Sequence, residues 1–417
     1  MKTKLRGTLV AGVLGAGLGL ALAAMVAPTA VLAQAKSITI GINLPLTGAD
    51  AESAKHIRDG SLMAIDEINA KGGVAGYKLE TMILDDATAT AGQYDPAQAA
   101  TNAKKFVANA SVLVALGPQM SGSGKAMSPI LSAANLPIIT PSSTNPDITD
   151  PKFASTYRPG GKAIYFRTVT TDAFQGPNMA NYYADVLKAK SVYILDDSGA
   201  YGVGIANSFQ GQAEKKGIKI LGRDQLNPKE ADYTTILTKI KALNPDALYY
   251  GGVGGAGVKL AKQAFDVIPK MVKGGGDGMY GPDILKGAGF PASNGWYATL
   301  ASPHVSEDPK IEKWAAEFRK KYGYSPEDYT ITSYDATLVI ADSIERVVKS
   351  GKELNRANMR DAIQAAKLMT LQGEVSFDEH GDINNRVVSV FQINHDTKFP
   401  DDDTVHQYKY IGVAASS

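Results

Sequence analysis

Three stretches of this 417-residue chain carry side chains that can grip a small charged molecule. In "VALGPQMSGSGK" an apolar run breaks at a turn, and Ser121 and Ser123 open a helical segment. "ITPSSTNP" repeats the arrangement with Ser142, Ser143 and Thr144. Hydroxyls and free amide hydrogens at such a strand end, aided by a helix dipole, bind a carboxylate or phosphate. Serine and threonine also serve as ordinary helix caps. The third stretch, "KGGGDGMYG", sets one carboxylate, Asp277, among five glycines. An exposed acid there is a turn residue; in a closed cleft its charge needs a cation brought by the ligand. An anion at the hydroxyl loops and a cation at Asp277 together describe an amino acid.

Other chemistries lack their residues. "GGVGGAGVK" and "GGGDG" miss the glycine-lysine-serine/threonine spacing of a phosphate loop, and "GGVGGAG" alone is a weak dinucleotide match. No G-x-S-x-G elbow, no H-E-x-x-H and no cysteine offers a nucleophile or metal-assisted hydrolysis. The histidines, His56, His304, His380, His395 and His406, have no metal-ligand spacing and are expected at the surface. "PDDD" lacks the ordered oxygen spacing of a calcium loop. With a formal net charge of +1, no basic excess invites nucleic acid. The expectation is a binding protein with no cofactor and no metal, not an enzyme.

The elements that must position these loops follow from periodicity. "MKTKLRG", a long apolar run and Val31-Leu32-Ala33 read as a signal peptide over residues 1–33, removed on export. An uncleaved anchor is the alternative. With no cysteine to carry a lipid, the mature chain is expected to be free in the periplasm, and without disulfides it must rely on core size. From Ile38 the chain alternates strands with helices. "ITIGINLPL" is a strand, and Ile57, Ser61, Ala64, Ile65 and Ile68 then mark one helix face. Further pairs follow as far as "LPIITPSS", and the rhythm restarts at "GPNMANYYADVLKA" and "SVYILDD". Two doubly wound parallel α/β units are expected, linked by more than one crossing.

The set "AIDEINAKGG", "LDD" before "DPAQAA", "LPIITPSSTNPDIT", "QGP", "DYTTILTKIKALNPDALYYGG" and "GGDG" resembles the periplasmic solute-binding proteins of branched-chain amino acid ABC transporters, in one order over nearly the whole chain from about Ser37. The resemblance implies the type I fold: two lobes joined by three crossings, residues 37–169 plus 301–384 and 170–300 plus 385–417. It also implies a monomer that hands a small ligand, an amino acid or carboxylate, to an inner-membrane permease. By the same resemblance Ser121 and Thr144 bind the ligand carboxylate, and Ser142 and Ser143 offer backbone groups. Tyr201 is the aromatic that closes from the second lobe. Asp277 stands where branched-chain binders carry the glutamate that holds the ammonium. Ser53 takes the place of a pocket aromatic, and Val253 and Gly254 replace tyrosines, which enlarges or polarises the pocket. Amides, urea and aromatic acids are bound elsewhere in this family, so an amine-free ligand such as an aromatic carboxylate is the alternative.

Overall fold

The computed structural model describes residues 36–413; the expected signal peptide lies outside them. Seven strands come first: β1 (Lys36–Leu44), β2 (Tyr77–Asp85), β3 (Ala87–Thr88), β4 (Gln93–Tyr94), β5 (Val112–Leu116), β6 (Ile138–Thr140) and β7 (Tyr165–Arg167). Five of them form a parallel sheet in the order β2-β1-β5-β6-β7, and β3 pairs with β4 alone. In β1 every residue from Ile38 to Leu44 is buried, as a parallel strand covered on both faces requires.

Then come β8 (Ser191–Asp196), β9 (Lys219–Gln225), β10 (Ala247–Gly251), β11 (Val272–Gly275), β12 (Tyr297–Leu300), the hairpin of β13 (Lys367–Thr370) and β14 (Gly373–Ser376), β15 (Ser389–Ile393) and β16 (Tyr408–Val413). The second sheet runs β16-β15-β12-β11-β10-β8-β9, parallel from β9 to β12, with β15 and β16 antiparallel at its edge. Both sheets are doubly wound. The order reverses between β1 and β5 in the first and between β8 and β10 in the second. Loops leaving the carboxyl ends of such neighbouring strands splay apart and leave a crevice, where open α/β sheets bind ligands.

After β12 the chain returns to the first sheet. Helix Asp328–Lys349 packs on helix Ala51–Ala70 so closely that a Cβ on Gly60 would stand 2.1 Å from the Thr330 carbonyl oxygen. Only glycine allows that approach. Arg356 donates to the carbonyls of Phe106, Val107, Asn109 and Val112 at 2.9–3.2 Å. Helix Asp328–Lys349 begins five residues before the apolar pattern from Ser333 suggests, because Glu327 and Thr330 form a capping box. The surface expected for all five histidines fails at two of them. His56 is buried, its ring stacked on Tyr324 with centroids 4.0 Å apart, and the His304 ring is held by Asp328 and Glu307.

Candidate functional site

The loops after β5 and β6 meet over the first sheet. Ser121 begins helix Ser121–Ala133, and its hydroxyl accepts from the Asn145 amide at 3.2 Å and from Ser143 Oγ at 3.4 Å. Ser142 Oγ donates to the Gln119 carbonyl at 3.3 Å. Beneath them lies Arg167 on β7, fully buried, donating to the carbonyls of Ser143 and Asn145 at 2.7 and 2.8 Å and to Thr149 Oγ1 at 2.9 Å, with Asp382 2.7 Å from its Nε. A buried guanidinium with four of its five N–H donors bonded sets the shape of this loop. Asn145 Nδ2 donates to the Ala200 carbonyl at 2.8 Å, joining the loop to the helix that follows β8.

Across the crevice Asp277 opens a single helical turn after β11. Gln175 Nε2 donates to its Oδ1 at 3.0 Å, and the Tyr329 hydroxyl donates to its Oδ2. The same Gln175 nitrogen lies 3.0 Å from Asp172 Oδ1. Tyr201 approaches from helix Ala200–Lys215, its hydroxyl accepting from the Gly278 amide at 3.0 Å. Burial pushes the Asp277 carboxyl above the usual carboxylate range, only partly countered by bonds from Tyr201, Tyr329 and Gln175. Asp172 is pushed up by burial and then by the Asp277 charge. Among the described residues no lysine, arginine or histidine forms an ion pair with Asp277.

A third group lies where helix Ala51–Ala70 meets helix Pro282–Ala288, beside the start of helix Gly254–Val267. Asp283 accepts from the amides of Glu52 and Ser53 at 3.1 and 2.9 Å. Asp50 is buried, and its carboxyl is raised to about 8 by burial first and then by the charges of Asp283, Asp197 and Asp86. Glu327 completes the group, with His56 Nδ1 3.5 Å from its Oε1. Gly254 lets this corner close: a Cβ there would sit 3.2 Å from the Ala49 carbonyl oxygen and 3.3 Å from Asp50 Oδ1.

These groups surround one cavity of about 50 Å³. Of the residues singled out from sequence, Ser53, Ser121, Ser142, Tyr201, Val253, Gly254 and Asp277 line it. Ser143 and Thr144 do not. The Ser143 amide is used by Thr140 Oγ1 at 2.9 Å and its hydroxyl by Tyr165, while the Thr144 carbonyl accepts the Asp172 amide at 2.9 Å. Sequence reasoning missed Asp50, Asp283, Glu327 and Tyr329 in the lining, and Gln175 and Arg167 behind it. Asp50 had a signal, since it ends the "LPLTGAD" loop beyond β1, where a switch-point ligand would sit.

Residues 37–398 match the family described as periplasmic binding protein. The leucine-, isoleucine-, valine-, threonine- and alanine-binding protein of Pseudomonas aeruginosa is 32% identical over 87% of this chain and 91% of its own. Two solved structures share the fold. The branched-chain amino acid transporter substrate-binding protein LivJ of Streptococcus pneumoniae, in complex with isoleucine, superposes with a TM-score of 0.75 at 24% identity, over 90% of this chain and 99% of its own. A solute-binding protein of R. palustris in complex with benzoate gives 0.75 at 17% identity, over 91% and 97%.

Proposed function

The chain belongs to the periplasmic binding protein family and is therefore a solute-binding transport protein, and we propose that its cargo is an amino acid or close derivative, clamped between two lobes and delivered to an ABC permease of the inner membrane. The observation that carries this reading is Asp277, a buried acid with no cationic partner among the described residues, facing a cavity that Ser121 and Ser142 line from the other sheet. An ammonium would neutralise the acid, and the serine loop with its helix N-terminus would take the carboxylate. Tyr201, Val253, Gly254 and Ser53 would enclose the rest of the ligand. Ser143 and Thr144 would act by shaping the loop rather than by touching it.

The lobes we assign are residues 37–169 plus 301–384 and 170–300 plus 385–417, closing by a hinge. Ligand contacts to both lobes would favour the closed form by their difference in affinity for the two states. No helix among the described residues is long and apolar enough to cross a membrane, in keeping with a periplasmic location after export. A second reading, an amine-free aromatic carboxylate, draws on the internal partners already held by both Asp277 oxygens.

The deciding experiment is a thermal-shift screen with amino acids, aromatic carboxylates and dicarboxylates. A ligand that binds only the folded state raises its melting temperature. A shift with amino acids supports the reading; a shift with benzoates alone replaces it with the second.

A further inference from the structure

The acids at the third corner of the cavity have unequal occupations. Asp283 caps helix Ala51–Ala70 through two amides, and Glu327 caps helix Asp328–Lys349. Asp50 holds the N-cap position of helix Ala51–Ala70, yet its side chain makes no capping bond. It is 3% exposed, its Oδ2 has no hydrogen-bond partner, and it faces the cavity. Glu327, 2% exposed, likewise has an unpartnered Oε2 on the cavity wall. Among the described residues no lysine or arginine forms an ion pair with Asp50, Asp283 or Glu327; the His56 ring nitrogen Nδ1 lies 3.5 Å from Glu327 Oε1. A buried carboxylate oxygen left without a donor is costly, and the Gly254 backbone amide that bonds the Asp50 carboxyl leaves Oδ2 unmatched.

Resting on the reading that the ligand is an amino acid, we propose that this corner binds a second cation at the end of the ligand's side chain, so that the cargo is a diamino or guanidino acid rather than a branched-chain one. The serine loop and Asp277 occupy two sides of the cavity, which leaves the corner of Asp50, Ser53, Asp283 and Glu327 to the side chain. An aliphatic group placed there would face carboxylates without satisfying them; an ammonium or guanidinium donates to Asp50 Oδ2 and Glu327 Oε2 and supplies the missing charge. The cation belongs to an organic ligand, because among the described residues no three acidic or histidine side chains converge as metal ligands. The mature full-length chain, stripped of ligand, is titrated calorimetrically with 2,3-diaminopropionate, ornithine, lysine and arginine, with their uncharged counterparts alanine, norvaline, norleucine and citrulline, and with benzoate. At least one cationic ligand is expected to bind at least about tenfold tighter than its counterpart. The Asp50→Asn variant, checked for folding by its melting curve, is expected to lose that preference, the cationic ligand losing more affinity than its counterpart. Equal or tighter binding of the uncharged member of every pair overturns this inference and leaves the amino-acid reading standing. Binding of benzoate with no amino acid overturns both. A preference that survives in Asp50→Asn overturns the role of Asp50, and the wild-type comparison stands whether or not the variant folds.

Discussion

Gln175 donates from its side-chain amide to Asp277 Oδ1 at 3.0 Å, so the acid that faces the cavity is held from behind by a residue 102 positions earlier in the chain. With Tyr329 on its other oxygen, Asp277 has its hydrogen bonds but not its counter-charge. That division between a satisfied geometry and an unsatisfied charge sets the first expectations.

Asp277→Asn keeps an oxygen for Tyr329 or Gln175 and removes the charge. A charge-assisted bond contributes roughly 1.5–3 kcal/mol, so an amine-bearing ligand should bind roughly ten- to a hundredfold more weakly in calorimetry. An amine-free carboxylate should bind as well or better. Unchanged affinity for an amino acid would remove Asp277 from the site.

Tyr329→Phe deletes one donor to the ionised acid, which raises the Asp277 carboxyl further. Amino-acid affinity should fall, and the pH at which binding reaches half its maximum should move upward relative to wild type. Titrations from pH 5 to 9 check the shift. A midpoint that stays put would mean that the Asp277 charge does not govern binding.

The ligand-free protein should lose stability as pH rises from about 4 to about 8. Asp50 is raised to about 8, Asp86 and Asp197 to about 6, and Asp277 and Asp283 are also raised, each first by burial. Between the unfolded and folded pKa of such a group the folded state holds more protons than the unfolded, so stability declines with pH. Melting temperatures at pH 5 and pH 8 should show the fall, and saturation with a cationic ligand should flatten it. A higher melting temperature at pH 8 for the ligand-free protein would contradict this.

Asn145→Asp keeps the acceptor that caps the turn at Pro146–Ile148 and loses the donor to Ala200. The closed arrangement should weaken, with ligand affinity falling several-fold, in line with about 1 kcal/mol for one lost bond. Small-angle scattering should show a smaller radius of gyration with ligand than without, and a less complete contraction in the variant. Equal radii in the wild type with and without ligand would count against hinge closure.

Much of this architecture is written in local pattern. The unbroken apolar run of β1 and the helical spacing from Ile57 to Ile68 declare a buried parallel strand and its crossover helix, because backbone periodicity and burial act over a few residues. The loops of Ser121, Ser142 and Asp277 were legible for the same reason, each being a run of small polar residues directly beyond a strand. Helix Arg356–Gln364 escaped notice since only Met359 and Ile363 are buried on it, and the β13–β14 hairpin is four residues a side. What tertiary structure alone decided is the set of partners. Whether Asp277 stands in water or behind Gln175 and Tyr329, whether Ser143 faces the cavity or Tyr165, and whether Asp50 caps its helix or leaves an oxygen free all depend on side chains far apart in sequence. A carboxylate's charge state is set by what packs around it, and that packing exists only once both sheets are assembled.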